Sequence, residues 1–124
     1  MTANVHVGMN GESAAAEYLV SNGYTVKERN FRTAGGEIDI IAEDSGRTVF
    51  VEVKARTLDK SSKYGRPSTA VNYRKRQSFI TAVKAYQRLH PESQKCRIDV
   101  IEVYFLNGSV EIKHIKSAFG DKKR

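Results

Sequence analysis

The chain has a single cysteine, Cys96, which excludes an intrachain disulfide and any cysteine-built zinc site. That count agrees with a reducing, intracellular compartment. Residues 1–10 carry neither the basic segment nor the long apolar run of a secretory signal. No stretch approaches the roughly 20 apolar residues a membrane-spanning helix requires. A soluble, cytoplasmic protein without a membrane partner is therefore expected. No internal repeat, low-complexity segment or dividing linker is present. Neither a Gly-x-Gly-x-x-Gly run nor a P-loop occurs, which disfavours nucleotide-dependent transfer. His6, His90 and His114 lack zinc spacing and read as ordinary surface or core histidines. Cys96 adjoins a predicted strand and reads as buried rather than reactive.

What remains is an ordinary globular composition with an uneven charge. The 124 residues, 40% hydrophobic and 28% charged, suit one domain that folds without a disulfide or metal staple. The domain is placed at residues 1–119, with 120–124 as a basic C-terminal tail. Of the formal charge of +7, residues 1–53 contribute −4, residues 54–97 contribute +10 and the remainder +1. A basic segment of that size suggests a surface facing a polyanion, most often nucleic acid. A solvated helix face is the alternative.

Local signals divide the chain clearly. Asn10 is positioned to cap a helix reaching about Val20, with Ala14, Ala15, Tyr18 and Leu19 as its apolar face. Asn22-Gly23 stops it. Strands are predicted over residues 24–30, 37–43 and 47–56, with Gly35-Gly36 as a flexible turn and Asp44-Ser45-Gly46 as the next. Ser68 or Thr69 starts a long helix to about Leu89, its buried stripe built on Val71, Phe79, Ile80, Val83 and Tyr86. Pro91 ends it. Residues 97–105 and 109–115 form a hairpin around Asn107-Gly108. The order is α-β-β-β-α-β-β, an α/β fold with a sheet covered by helices.

Register then brings acidic side chains together. Glu52 and Lys54 lie on one strand face, roughly 7 Å apart. If Ser45-Gly46 is a two-residue loop, Asp44 pairs with Arg47, and every later pair sums to 91. Asp39 then falls opposite Glu52, with side chains about 5 Å apart. A one-residue slip would turn Asp39 to the other face unless a bulge absorbed it. Two such carboxylates among Ile38, Ile40, Phe50 and Val51 call for positive charge. Either Lys54 or a neighbouring arginine neutralises them, or a hard divalent cation such as Mg²⁺ sits between them. A cation beside a basic surface suits phosphodiester chemistry.

Asp39, a 12-residue gap and then Glu52-Val53-Lys54 resemble the Asp…Glu-x-Lys core of the PD-(D/E)XK, restriction-endonuclease-like nucleases. More closely, the chain resembles the YraN family of small bacterial proteins, for which that fold is predicted. The matching stretches include Gly11-Glu12, Gly23-Tyr24, Arg29-Asn30-Phe31-Arg32, residues 36–41, residues 49–56, Ala70-Val71, Lys75, residues 97–100 and Ala118-Phe119. They cover nearly the whole chain, and Ile38 stands where the named signature has proline. The resemblance implies a restriction-endonuclease-like mixed sheet flanked by helices. It further implies a metal-dependent nuclease, or nuclease-like protein, acting on structured or single-stranded DNA. Asp39 and Glu52 match metal ligands for Mg²⁺ or Mn²⁺, and Lys54 matches the residue that orients water and steadies transition-state charge. Glu12 resembles an extra metal-site glutamate of archaeal Holliday-junction resolvases, proteins whose example also allows a homodimer. The alternative is a non-catalytic nucleic-acid-binding module of the same fold.

The remaining candidates carry two readings each. Glu12 also suits a helix start, and Glu37, on the same strand face as Asp39, suits either a contact with the site or a solvated strand end. Arg74, Lys75 and Arg76 form a basic run in which Lys75 is the first phosphate-contact candidate, followed by Arg56 and Arg66. Tyr64 and Tyr73 interleave with it and offer stacking faces, or simply pack. DNA is the expected partner ahead of RNA.

Overall fold

A computed structural model describes residues 10–57 and 73–118. Helix α1 spans Gly11–Ser21, and strands β1, β2 and β3 span Thr25–Thr33, Gly36–Asp44 and Arg47–Thr57. Helix α2 covers Tyr73–Leu89, a 3-10 turn Pro91–Gln94, and strands β4 and β5 Cys96–Leu106 and Ser109–Ile115. The element order is the expected one. The predicted helix start at Ser68 or Thr69, and Val71 of its stripe, lie outside the described residues.

Local chemistry sets the ends of these elements. The Asn10 side chain accepts the Ser13 N–H at 2.8 Å and caps α1. Gly23, at φ +90°, turns the chain out of that helix. The five strands lie in the order β1-β2-β3-β4-β5. Only β3 and β4 run parallel, and α2 provides the crossover that a parallel pair requires.

Each face of the sheet carries its own core. On one face, Ala14, Ala15 and Leu19 of α1 pack against Ile40, Ala42, Val49, Val51, Ile101 and Val103. On the other, Phe79, Ala82, Val83 and Tyr86 of α2 pack against Ile38, Ile41 and Phe50. Ile80 is only half-buried, and Ala82 takes the place predicted for it. The helix is rotated slightly from the expected stripe, which lets the small Ala82 approach the sheet.

Gly35-Gly36 differs from the flexible turn expected of it. A Cβ at Gly36 would collide with the Ser78 carbonyl oxygen, and one at Gly35 would lie 2.7 Å from Thr81 Cγ2. The two glycines let the β1–β2 turn approach the α2 backbone. Their role here is close packing.

Candidate functional site

The β2–β3 hairpin fixes the site. Asp44 pairs with Arg47, Glu43 with Thr48, Ala42 with Val49, Ile41 with Phe50 and Ile40 with Val51. All five pairs sum to 91, as the two-residue loop requires. The pairing ends there, one step before Asp39 and Glu52. The Asp39 Oδ2 accepts the Val53 N–H at 2.8 Å, so a side chain takes a β3 donor in place of a ladder carbonyl.

The cause lies in β1 and β2. Ile38 and Ile41 both face α2, although they are an odd three positions apart, whereas Ile40 faces α1. Strict alternation therefore slips once in this stretch. The β1–β2 pairing includes Arg29 with Ile40 and Phe31 with Ile38, but skips Asn30 and Asp39 between them. Asn30 is left-handed there, at φ +54°, a conformation asparagine tolerates better than most residues. The irregularity turns the Asp39 carboxylate into the gap between β2 and β3.

Glu52 shares the α2-side face of β3 with Phe50. It is 5% exposed, and its Oε2 lies 3.6 Å from Lys54 Nζ and 3.9 Å from Lys75 Nζ. Lys54, two residues along the strand, is largely covered, and Lys75 reaches in from the first turn of α2 with most of its side chain in solvent. Among the described residues, no cation lies within ion-pair distance of Asp39. Burial pushes its carboxyl up to about 6, against the restraint of the Val53 N–H, and the charges of Glu52, Glu12 and Glu37 push the same way.

The other predicted residues separate. Glu12 Oε2 accepts Arg29 Nε at 3.0 Å and Asn30 Nδ2 at 2.9 Å, so its carboxylate is held by β1. Among the described residues, no group of three or more His, Cys, Asp or Glu side chains is placed to hold a metal ion. Glu12 thus influences Asp39 through its charge without joining Asp39 and Glu52 in a three-carboxylate centre. Glu37 pairs with Arg32 at 3.0 Å near the strand end, both side chains largely in solvent. Arg74 is exposed, and Arg76 is half-buried. Arg56 Nε is buried and, among the described residues, makes no hydrogen bond. Arg66, Tyr64 and His6 lie outside the described residues, as does the Tyr73 side chain.

Two features escaped the sequence reading. Glu102, 4% exposed, faces Lys54 across the β3–β4 register and accepts the Tyr104 hydroxyl at 2.7 Å. The second is a network on the α1 face. There Asp99, fully buried, accepts Arg97 Nε at 3.0 Å, the Ser117 N–H at 3.0 Å and His114 Nε2 at 2.7 Å. Arg97 continues to Tyr24 and Asp44, and His114 Nδ1 to the Tyr18 hydroxyl at 2.9 Å. Burial alone would raise the Asp99 carboxyl, but the bonds from His114, Arg97 and Ser117 outweigh it and hold it below the usual range. The same-face spacing of Arg97 and Asp99 was the one available signal. His90 stacks on Tyr86, with ring centroids 4.0 Å apart. Cys96 is half-buried, and burial raises its thiol, as expected for an unreactive cysteine.

A family model described as "Uncharacterised protein family UPF0102" matches residues 11–103, from α1 into β4. The chain belongs to the UPF0102 family. A UPF0102 protein of Thermodesulfovibrio yellowstonii is 39% identical over 117 residues, covering 94% of this chain and 98% of that one. A Clostridium botulinum UPF0102 protein is 43% identical over 121 residues, covering 94% and 95%. One from Trichlorobacter lovleyi is 46% identical over 121 residues, covering 94% and 91%. The UPF0102 match spans α1, the β2–β3 hairpin and α2, and so contains Glu12, Asp39, Glu52, Lys54 and Lys75. This is the YraN-like family the motifs resemble. Among the described residues no helix is long and apolar enough to cross a membrane.

Proposed function

We propose that this protein is a metal-dependent nuclease of the restriction-endonuclease-like kind, acting in the cytoplasm on structured or single-stranded DNA. The observation that carries the reading is an Asp39 carboxylate held by the Val53 N–H and felt by the charge of a buried Glu52 flanked by Lys54. The donor set fits Mg²⁺ or Mn²⁺: both groups offer hard oxygens, and Oδ2 of Asp39 is the only one of its oxygens given to Val53. Asp39 and Glu52 would hold the cation, which when bound supplies charge stabilisation and a lowered water pKa for phosphodiester hydrolysis. The Val53 N–H fixes the Asp39 carboxylate in orientation. Lys54, shielded from bulk water and 3.6 Å from Glu52, would orient the attacking water with its ammonium and meet charge developing on phosphate. Lys75, exposed on α2, suits a phosphate of the same substrate. Glu12 would have to leave Arg29 and Asn30 to join the ligands.

One observation favours a second reading. Glu52 already has two lysines within 4.0 Å, a neutralisation that a DNA-binding module without cleavage would also need. A cleavage screen over branched, single-stranded and duplex DNA with Mg²⁺ or Mn²⁺ separates the two. The nuclease reading expects cutting that Lys54→Met lowers by roughly 10² or more in single turnover, with binding little changed. Binding with no cutting of any substrate would leave the module.

A further inference from the structure

Helix α2 carries five cations, Arg74, Lys75, Arg76, Lys84 and Arg88, and no acidic residue in its 17 positions. A helix face kept basic for solubility ordinarily mixes both signs, because Glu and Lys a turn apart stabilise one another. Here the mixing is absent. Beyond Lys75, the exposed positions between residues 74 and 88 are Arg74, Gln77, Thr81, Lys84 and Arg88. They recur at intervals of three and four residues, which places them on one helical stripe. Phe79, Ala82, Val83 and Tyr86 hold the opposite side against the sheet. Every side chain of the stripe can donate to a phosphate oxygen, and none can repel one. The stripe starts at the end of α2 that carries Lys75, about 100° round the helix from it, and the Lys75 ammonium lies 3.9 Å from Glu52. It then runs about 21 Å along the helix axis.

We infer that this stripe is a track for the sugar–phosphate backbone of a DNA arm leading away from the Asp39–Glu52 site. Arg74, Gln77, Thr81, Lys84 and Arg88 contact phosphates spread along that arm. The inference rests on the proposed function for where the track begins, and it adds Lys84 and Arg88 as binding residues remote from the chemistry. Its length corresponds to about six base pairs of duplex, at about 3.4 Å per pair. Recognition is of backbone charge, without sequence preference. The substrate must therefore extend that far to one side of the scissile bond.

The test is fluorescence anisotropy on branched DNA with arms of about 16 base pairs, and on the same DNA with arms trimmed to about three base pairs and closed by loops. The double variant Lys84→Ala/Arg88→Ala is compared with wild type and with Lys116→Ala, an exposed cation elsewhere. On long arms the double variant should lose about tenfold in affinity, and its salt dependence should flatten by about two units. The short-arm substrate should show little of either change. Equal affinity and slope for double variant and wild type on long arms overturns the track. So does an equal loss on both arm lengths, or an equal loss from Lys116→Ala. Track-dependent binding without cleavage keeps the track and sinks the nuclease. Wild type that binds no DNA overturns both.

Discussion

The sheet holds a fully buried aspartate on the α1 face and a half-buried one at the mouth of the β2–β3 gap, and the protein treats them in opposite ways. Asp99 receives Arg97, His114 and a main-chain N–H, and its carboxyl lies below the usual range. Asp39 receives one main-chain N–H and three acidic neighbours, and its carboxyl is pushed up to about 6. Burial acts on both in the same direction, so partners decide the outcome. A carboxylate that fold stability alone had shaped would resemble Asp99. Asp39 is half-buried, held by the Val53 N–H and, among the described residues, without a cation within ion-pair distance, which is the condition on which the proposed cation site rests.

The largest effect should come from breaking the satisfied partner. Asp99→Ala removes the acceptor shared by Arg97, His114 and the Ser117 N–H and leaves Arg97 only Asp44 as counter-charge, and urea unfolding should show a loss of about 3–5 kcal/mol. The network's pH dependence has a definite sign. Asp99 has a depressed carboxyl, so its contribution is complete above the unfolded value near 3.8 and is lost as pH falls through the folded one. A loss under about 1 kcal/mol would show that the network is ornamental and void the contrast.

The frustrated partner should respond in the opposite direction. Asp39→Asn keeps an acceptor for the Val53 N–H and removes the charge. The native carboxyl holds its proton up to about 6, against 3.8 when unfolded, so wild type loses stability as pH rises between those values. Above about pH 7 and without metal, Asp39→Asn should be more stable by about 2 kcal/mol. At about pH 3, below both values, the two proteins should unfold alike. If Asp39→Asn brings no gain over wild type at about pH 8, the site is not electrostatically strained. The smallest effect belongs to the edge of the satisfied network. Tyr18→Phe removes one hydrogen bond to His114, and thermal melts should register about 1 kcal/mol.

The parts of this contrast were unequally legible in the sequence. Short-range chemistry announced itself: the Asn10 cap, the two-residue turn that makes the β2–β3 pairs sum to 91, and the Asn107-Gly108 hairpin whose return strand is Ser109–Ile115. Those local rules carried Asp39 and Glu52 to the same end of one hairpin. The slip at Asn30 and Asp39 was hidden, because one left-handed asparagine leaves no trace in hydrophobic alternation. It is nonetheless what aims Asp39 at Val53. The partners of Glu12 were hidden too: Arg29 and Asn30, 17 and 18 residues away, hold its carboxylate. The Asp99 network was hidden for the same reason. It joins α1, Tyr24 just before β1, β2, β4 and β5, and no sequence interval relates Tyr18 to His114 across 96 residues. Gly36 read as a turn former, since nothing nearby in the chain reveals the Ser78 carbonyl against it.

Carbon-13 NMR titration of the Asp39 and Asp99 carboxyl groups, with and without millimolar Mg²⁺, tests the account most directly. Without the cation, Asp39 should titrate at about 6 and Asp99 below the usual aspartate range. With Mg²⁺, Asp39 should fall to the ordinary aspartate value of about 4 or lower, while Asp99 stays where it was. An Asp39 that already titrates at about 4 without metal, or that stays at about 6 when Mg²⁺ is added, would contradict it.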